Sequence, residues 1–166
     1  MHDRSNAEPG AASPDYRERL SPSLWTLLSA AVAAPMTALV FAPIDATVSL
    51  LVGLLTAAAL LAALVLLAPV VEVRGGELRV GRARIPVGYL GEAEPFTGDE
   101  ARQLRGPALP RTAWHLLRGG IDGIVRVDVD DARDPVGEWV FSSRTPDRVC
   151  AAIRRAQRAG VPTATR

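Results

Sequence analysis

The chain has 166 residues, a formal charge of +1 and 48% hydrophobic residues. That near-neutral balance excludes the strong global field of a nucleic-acid binder. A single cysteine, Cys150, excludes an internal disulfide and a cysteine-pair metal site.

All 19 basic residues are arginine, which with abundant Ala, Gly, Pro and Val reads as a GC-rich coding bias. Residues 1–20 are polar, mixed in sign and carry Pro9, Gly10 and Pro14, the composition of a disordered tail. Two uncharged runs follow, Ser21 to Ile44 and Ala46 to Val71, separated only by Asp45. Each is about 25 residues, or about 36–39 Å as α-helix, against a hydrocarbon core of about 30 Å. Residues 21–71 therefore read as a two-helix transmembrane hairpin. Ala31-Val32-Ala33 resembles a small-residue cleavage site. The region before it mixes Asp3, Glu8, Asp15 and Glu18 with arginines, and a second apolar run follows at once, so a cleaved signal is the weaker reading.

Asp45 is the one charge in the apolar half, and Pro43 beside it disfavours continuing the first helix. A turn in which Asp45 caps the second helix explains both residues better than an intramembrane carboxylate does. The turn has no arginine, while Arg17 and Arg19 precede the first run and Arg74, Arg79, Arg82 and Arg84 follow the second. The positive-inside rule then puts both termini in the cytoplasm of a two-span cell-membrane protein. Ala30, Ala34 and Ala38, like Ser49, Gly53 and Ala57, form small-residue stripes suited to close helix packing, within the hairpin or in a homo-oligomer. Pro35 predicts a kink, and Trp25 fits the headgroup-level aromatic belt.

Residues 72–158 read as a small cytoplasmic domain, followed by a disordered tail over 159–166. Val71 and Val73, then Leu78 and Val80, then Ala83, Ile85 and Val87 alternate with polar residues, with Gly75-Gly76 as the first turn. A fourth strand is expected near Tyr89 to Ala93, and Thr97-Gly98-Asp99-Glu100 has the capping-box pattern of a short helix to Arg105. Strands are expected over Thr112 to Leu117, Val125 to Asp130 and Glu138 to Ser142. Thr145-Pro146 then opens a helix whose apolar face carries Val149, Ala152, Ile153 and Ala156 and which reaches Arg158. About seven strands and a C-terminal helix make an α+β membrane protein whose soluble part is pleckstrin-homology-like, with a generic α+β sheet as runner-up.

Tyr16-Arg17-Glu18-Arg19-Leu20, Gly81-Arg82-Ala83-Arg84-Ile85-Pro86, Arg111-Thr112-Ala113-Trp114, and Asp134-Pro135 followed by Glu138-Trp139-Val140 also carry a resemblance. From Tyr16 to Gln157 the chain resembles an actinobacterial membrane-protein family catalogued as domain of unknown function 3093. Its members are uncharacterised two-span proteins, so the resemblance implies location and layout but no activity or catalytic residue. Related sequences often show Ser-Thr-Arg where this chain has Ser142-Ser143-Arg144.

The remaining clusters are weighed on chemistry. Asp128, Asp130, Asp131 and Asp134 could attract a hard cation, but Ala132 and Arg133 break the EF-hand pattern, leaving a solvated turn. His115 has no zinc-set partner, Ser142 and Ser143 lack a nucleophile elbow, and the glycines form no phosphate loop. No cofactor or catalytic set is implied. Trp114 and Trp139 read as core or interface anchors. Arg74, Arg79, Arg82 and Arg84 read first as topology determinants and secondly as contacts to anionic lipid headgroups. The functional expectation is a non-enzymatic membrane-anchored module for protein or anionic-lipid contact, with no nucleic-acid partner. The alternative is a small membrane enzyme or transporter accessory acting on lipid or envelope precursors.

Overall fold

The computed structural model describes residues 16–131 and 135–160. The expectations for residues 1–15, for Asp134 and for residues 161–166 lie outside the described residues. The first element corrects the sequence reading. Tyr16–Arg19, expected in a disordered tail, is a strand, β1. It pairs antiparallel with β2 (Val70–Arg74), Tyr16 opposite Val73 and Arg19 opposite Val70. The Leu20 N–H continues the ladder by donating to the Pro69 carbonyl at 2.8 Å, and the Leu20 side chain is fully buried. Pairing satisfies the backbone edge that β2 would otherwise expose, and Leu20 anchors the segment in the core.

Between these two strands runs the apolar hairpin. Helix α1 (Leu24–Phe41) starts after Ser23, whose hydroxyl accepts from the Thr26 N–H, and continues through Pro35. Helix α2 (Ala46–Leu66) is capped by Asp45, whose Oδ1 accepts from Thr47 N at 2.7 Å and Val48 N at 3.0 Å. Both helices are shorter than the apolar runs. Ser23 sets the start of α1, and Pro69, which lacks an N–H, turns the chain after α2 into β2. At about 1.5 Å per residue they measure about 27 and 31 Å. Each is long and apolar enough to cross a membrane.

The helices meet on small residues. A Cβ on Gly53 would lie 2.9 Å from the Ala38 Cβ and 3.2 Å from the Ala34 carbonyl oxygen. The Ser49 hydroxyl donates to the Ala38 carbonyl at 2.6 Å. Ala30 and Ala57 are half-buried further from the turn. No residue of α1 is buried, and in α2 only Ser49 and Gly53 are. The remaining apolar surface of the pair is open.

After β2 the chain meanders through β3 (Glu77–Val80) and β4 (Ala83–Pro86), with Gly75 and Gly76 supplying the left-handed turn at φ of 57° and 78°. A 3-10 turn over Val87–Tyr89 leads to β5 (Leu90–Phe96) and then α3 (Gly98–Arg105). Thr97 precedes α3, but its side chain makes no capping bond, so the expected capping box does not form. Then come β6 (Trp114–Leu116), β7 (Ile124–Val129), β8 (Glu138–Ser142) and α4 (Pro146–Gly160), which runs two residues past the expected end.

The described strands form two four-stranded sheets, β1-β2-β3-β4 and β5-β7-β8-β6. Strand β6 is shorter than expected and runs parallel to β8, Trp114 opposite Trp139. Val71, Val73, Leu78 and Val80 of the first sheet share one core with Val125, Val127 and Phe141 of the second and with Val149, Ala152 and Ile153 of α4. Ile124 and Val140 face the opposite side of the second sheet, where Ala101 and Leu104 of α3 cover them. Both faces of that sheet are thus buried, which is why Trp139, Val140 and Phe141 form a continuous apolar run rather than an alternation.

Substituting Gly53→Val must push the two helices apart, because the space opposite is filled by backbone and a short side chain. We expect a loss of about 1–3 kcal/mol. Ala58→Val on the exposed face of α2 should stay within about 0.5 kcal/mol. Thermal unfolding of both variants in detergent, followed by circular dichroism, checks the pair.

Candidate functional site

An open groove of about 1440 Å³ lies where the foot of α2 meets the two sheets. Its charged lining is one-sided. Six arginines, Arg17, Arg19, Arg79, Arg82, Arg105 and Arg118, face it against one carboxylate, Glu72. They come from four places: β1, the β3 strand with its following turn, the end of α3, and the segment after β6. Leu66, Leu67, Trp114, Leu116 and Leu117 supply the apolar part of the wall.

Register explains the clustering. Arg17, Glu72, Arg79 and Arg84 form one cross-strand row over the first sheet. Glu72 sits between Arg17 and Arg79 and offsets part of their charge. The next row towards the helices holds Arg19 opposite Val70, and Gly81 N–H donates to the Val70 carbonyl at 2.7 Å. Arg79 Nε donates to the Gly81 carbonyl at 3.1 Å. Arg105 donates from Nη2 to the Ile121 carbonyl, while its buried Nε has no hydrogen-bond partner. Among the described residues the ion pairs are Arg102 with Asp99 and Arg126 with Glu94, and neither lies in the groove.

Two close approaches seat the helix ends on this region. Gly81, at φ of 60°, brings the β3–β4 turn so near that an added Cβ would meet Leu116 Cδ1 at 2.7 Å and Pro69 Cβ at 3.5 Å. Gly120, at φ of 77°, lies against Ser23, the cap of α1, where a Cβ would meet the serine Cβ at 2.5 Å. Arg118 and Arg82 are therefore held beside the two helix ends.

The four arginines grouped by sequence after the second apolar run do not stay together. Arg79 and Arg82 line the groove, while Arg74 and Arg84 line an adjoining pocket of about 170 Å³ with Glu77, and Glu72 and Arg79 line both. Arg74 sits at the Gly75-Gly76 turn, about 13 Å along the strand from its helix-proximal end. Arg17 and Arg19 read from the sequence only as topology determinants, and Arg105 and Arg118 were missed altogether as site residues. The latter two join only through α3 and the parallel β6, whose pairing no local pattern announces.

Strand alternation gives β1 two jobs. Arg17 and Arg19 point to the groove face, so Tyr16 and Glu18 point the other way. There Glu18 Oε2 accepts from the Ser143 hydroxyl at 2.6 Å and the Tyr16 hydroxyl at 2.7 Å. Glu18 Oε1 accepts from Arg144 N at 2.8 Å. Since a phenol has one proton, the Thr145 hydroxyl donates to Tyr16 across 2.8 Å. Thr145 N donates to the Ser143 hydroxyl at 3.1 Å. The Arg144 guanidinium then reaches the carbonyls of Arg19 and Ser21 at 3.1 and 2.9 Å. This network fastens β1 to the segment just before α4.

Other candidates have plainer surroundings. Ser142 is buried and accepts from Arg118 N at 2.9 Å, and Ser143 is buried in the network above. His115 is exposed in the groove, with Nδ1 3.4 Å from the Ala113 carbonyl. Trp114 and Trp139 pack ring against ring at a centroid distance of 4.6 Å and a tilt of 38°. Asp128 and Asp130 lie at the end of β7, and among the described residues no group of three or more His, Cys, Asp or Glu is placed to hold a metal. Cys150 is buried in the core, and burial pushes its thiol up to about 11.

The model of a family described as Protein of unknown function (DUF3093) matches residues 15–153. The chain belongs to that family. No curated protein and no solved structure matches it. The DUF3093 match spans β1, both apolar helices, both sheets and the first half of α4, so the strand ahead of the hairpin lies inside the family unit.

Removing the Glu18 carboxylate leaves the buried Ser143 hydroxyl and the Arg144 N–H without their charged acceptor. Glu18→Ala should cost about 2–3 kcal/mol, read by denaturant unfolding of the full chain. Burial, helped by the neighbouring Glu18 carboxylate and opposed by the Thr145 hydrogen bond, raises the Tyr16 phenol above its ordinary 10.0. Its contribution is therefore complete below pH 10.0 and is lost as pH rises through the raised value. Tyr16→Phe should remove that alkaline step from the stability profile.

Proposed function

We propose that this DUF3093 protein is an integral membrane protein acting by contact rather than by catalysis. In this reading α1 and α2 cross the bilayer as an antiparallel pair. They present a pleckstrin-homology-like domain to the cytoplasm as an interaction module. The carrying observation is the β1–β2 ladder, which ties together the ends of two apolar helices whose outer faces are open. Leu24 and Trp25 at the start of α1 are 83% and 77% exposed, a poor arrangement in water and a suitable one at a lipid interface.

Orientation follows the same logic. The described turn Ala42–Asp45 carries no arginine, while Arg17, Arg19, Arg79 and Arg82 gather at the other end. Arginine-rich flanks favour the cytoplasmic side, and the ladder forces both flanks onto one side. The pleckstrin-homology likeness is supported by the β1–β4 meander, the second sheet and α4 packing against both; the parallel β6 departs from it. A contact role is supported by the burial of Ser142 and Ser143 and by a groove rich in donors with one carboxylate.

Full-length protein should stay in the membrane pellet after alkaline carbonate washing. Reporters fused at Met1 and at Arg166 should both report the cytoplasm. Release into the supernatant would contradict the membrane reading, and reporters on opposite faces would contradict the hairpin.

A further inference from the structure

We infer that the arginine groove binds a lipid headgroup carrying at least two phosphates. This rests on the membrane reading above and names the contact it makes. Guanidinium forks match phosphate oxygens in shape as well as charge, and bidentate pairing needs them to converge from different directions. Here they converge from four chain segments. Among the described residues no ion pair involves Arg17, Arg19, Arg82 or Arg118. Arg105 adds a buried Nε–H without a partner.

Charge and size select the ligand class. Six guanidinium groups face one carboxylate, so a singly charged headgroup would leave most of the lining unbalanced. The open groove has room for a bulky polyanion. The apolar wall decides between a lipid and a free anion. Leu66 and Leu67 end α2 at the groove, and Trp114, Leu116 and Leu117 continue that surface beside the arginines. A headgroup lodged among the arginines can pass its hydrocarbon chains directly along the outer face of α2. A free polyphosphate gains nothing from that wall.

The location also explains why the domain is folded around the hairpin. Arg17 and Arg19 enter the groove only because β1 is paired, and Arg82 and Arg118 only because Gly81 and Gly120 press their loops against the helix ends. A site at this height is reached by lipids in the inner leaflet without leaving the bilayer.

The test uses the full chain in phosphatidylcholine nanodiscs. Cardiolipin serves as the two-phosphate lipid probe, phosphatidylglycerol as the one-phosphate probe at equal total charge, and inorganic pyrophosphate as the free anion. Native mass spectrometry should show one saturable cardiolipin, bound at least about tenfold more tightly than phosphatidylglycerol, with affinity falling as salt rises. Arg82→Gln together with Arg118→Gln should weaken cardiolipin about tenfold or more. Arg148→Gln with Arg155→Gln, exposed on α4 and outside the groove lining, removes the same charge and should change it less than about twofold. Unchanged circular dichroism melting of both double variants excludes misfolding as the cause. Equal affinity for the two lipids, equal loss in both double variants, or pyrophosphate binding as tightly as cardiolipin would each overturn the proposal. Loss of the site in protein that sits stably in nanodiscs would leave the membrane reading intact, whereas failure to enter nanodiscs would sink that reading itself.

Discussion

The pairing of β1 with β2 is the constraint on which the other features depend. The two strands are separated in sequence by the whole apolar hairpin, yet they lie side by side from Tyr16 opposite Val73 to Arg19 opposite Val70. Adjacent strands are about 4.8 Å apart, so the chain leaves the sheet and returns to it at nearly the same point. Two helices joined by a short turn and rooted that closely must run antiparallel and touch. Ser49 and Gly53 meet Ala34 and Ala38 at the spacing this requires. The apolar hairpin is thus an insertion into the first antiparallel strand pair of the sheet domain.

The same pairing organises the charged region. Period-two alternation sends Tyr16 and Glu18 towards Ser143, Arg144 and Thr145, and sends Arg17 and Arg19 into the groove. One four-residue strand therefore both locks the N-terminal segment and supplies two of the six groove arginines. Glu18 bears on the groove without touching it, because the carboxylate holds the strand whose other face lines the site. Gly81 and Gly120 complete the arrangement by letting loops of both sheets lie against the helix ends.

Much of the layout is legible in local patterns. Uncharged runs interrupted by Pro43 and Asp45 mark two helices and a turn, because a helix satisfies its interior backbone groups within one segment and Pro43 and Asp45 stop one helix and cap the next. Alternation marks β2 to β4 and β7, and Thr145-Pro146 marks the start of α4. What escapes is non-local. Strand β1 has no apolar face apart from Leu20 at its end, so its inward side, Tyr16 and Glu18, reads as tail until the partner network is seen. Strand β6 has three residues and a parallel partner beyond β7. The groove inherits both gaps. Arg17 and Arg19 reach it through the β1 pairing and Arg118 through β6, while Arg74, close to the second helix in sequence, is carried away along β2 to the distal turn.

The most direct measurement is amide hydrogen exchange over Tyr16–Leu20 in the full chain in lipid nanodiscs. If this segment closes the first sheet across the hairpin, its amides should be protected to within about tenfold of those in β2 and β3. Exchange at the rate of an unstructured peptide, with β2 to β4 still protected, would contradict the account.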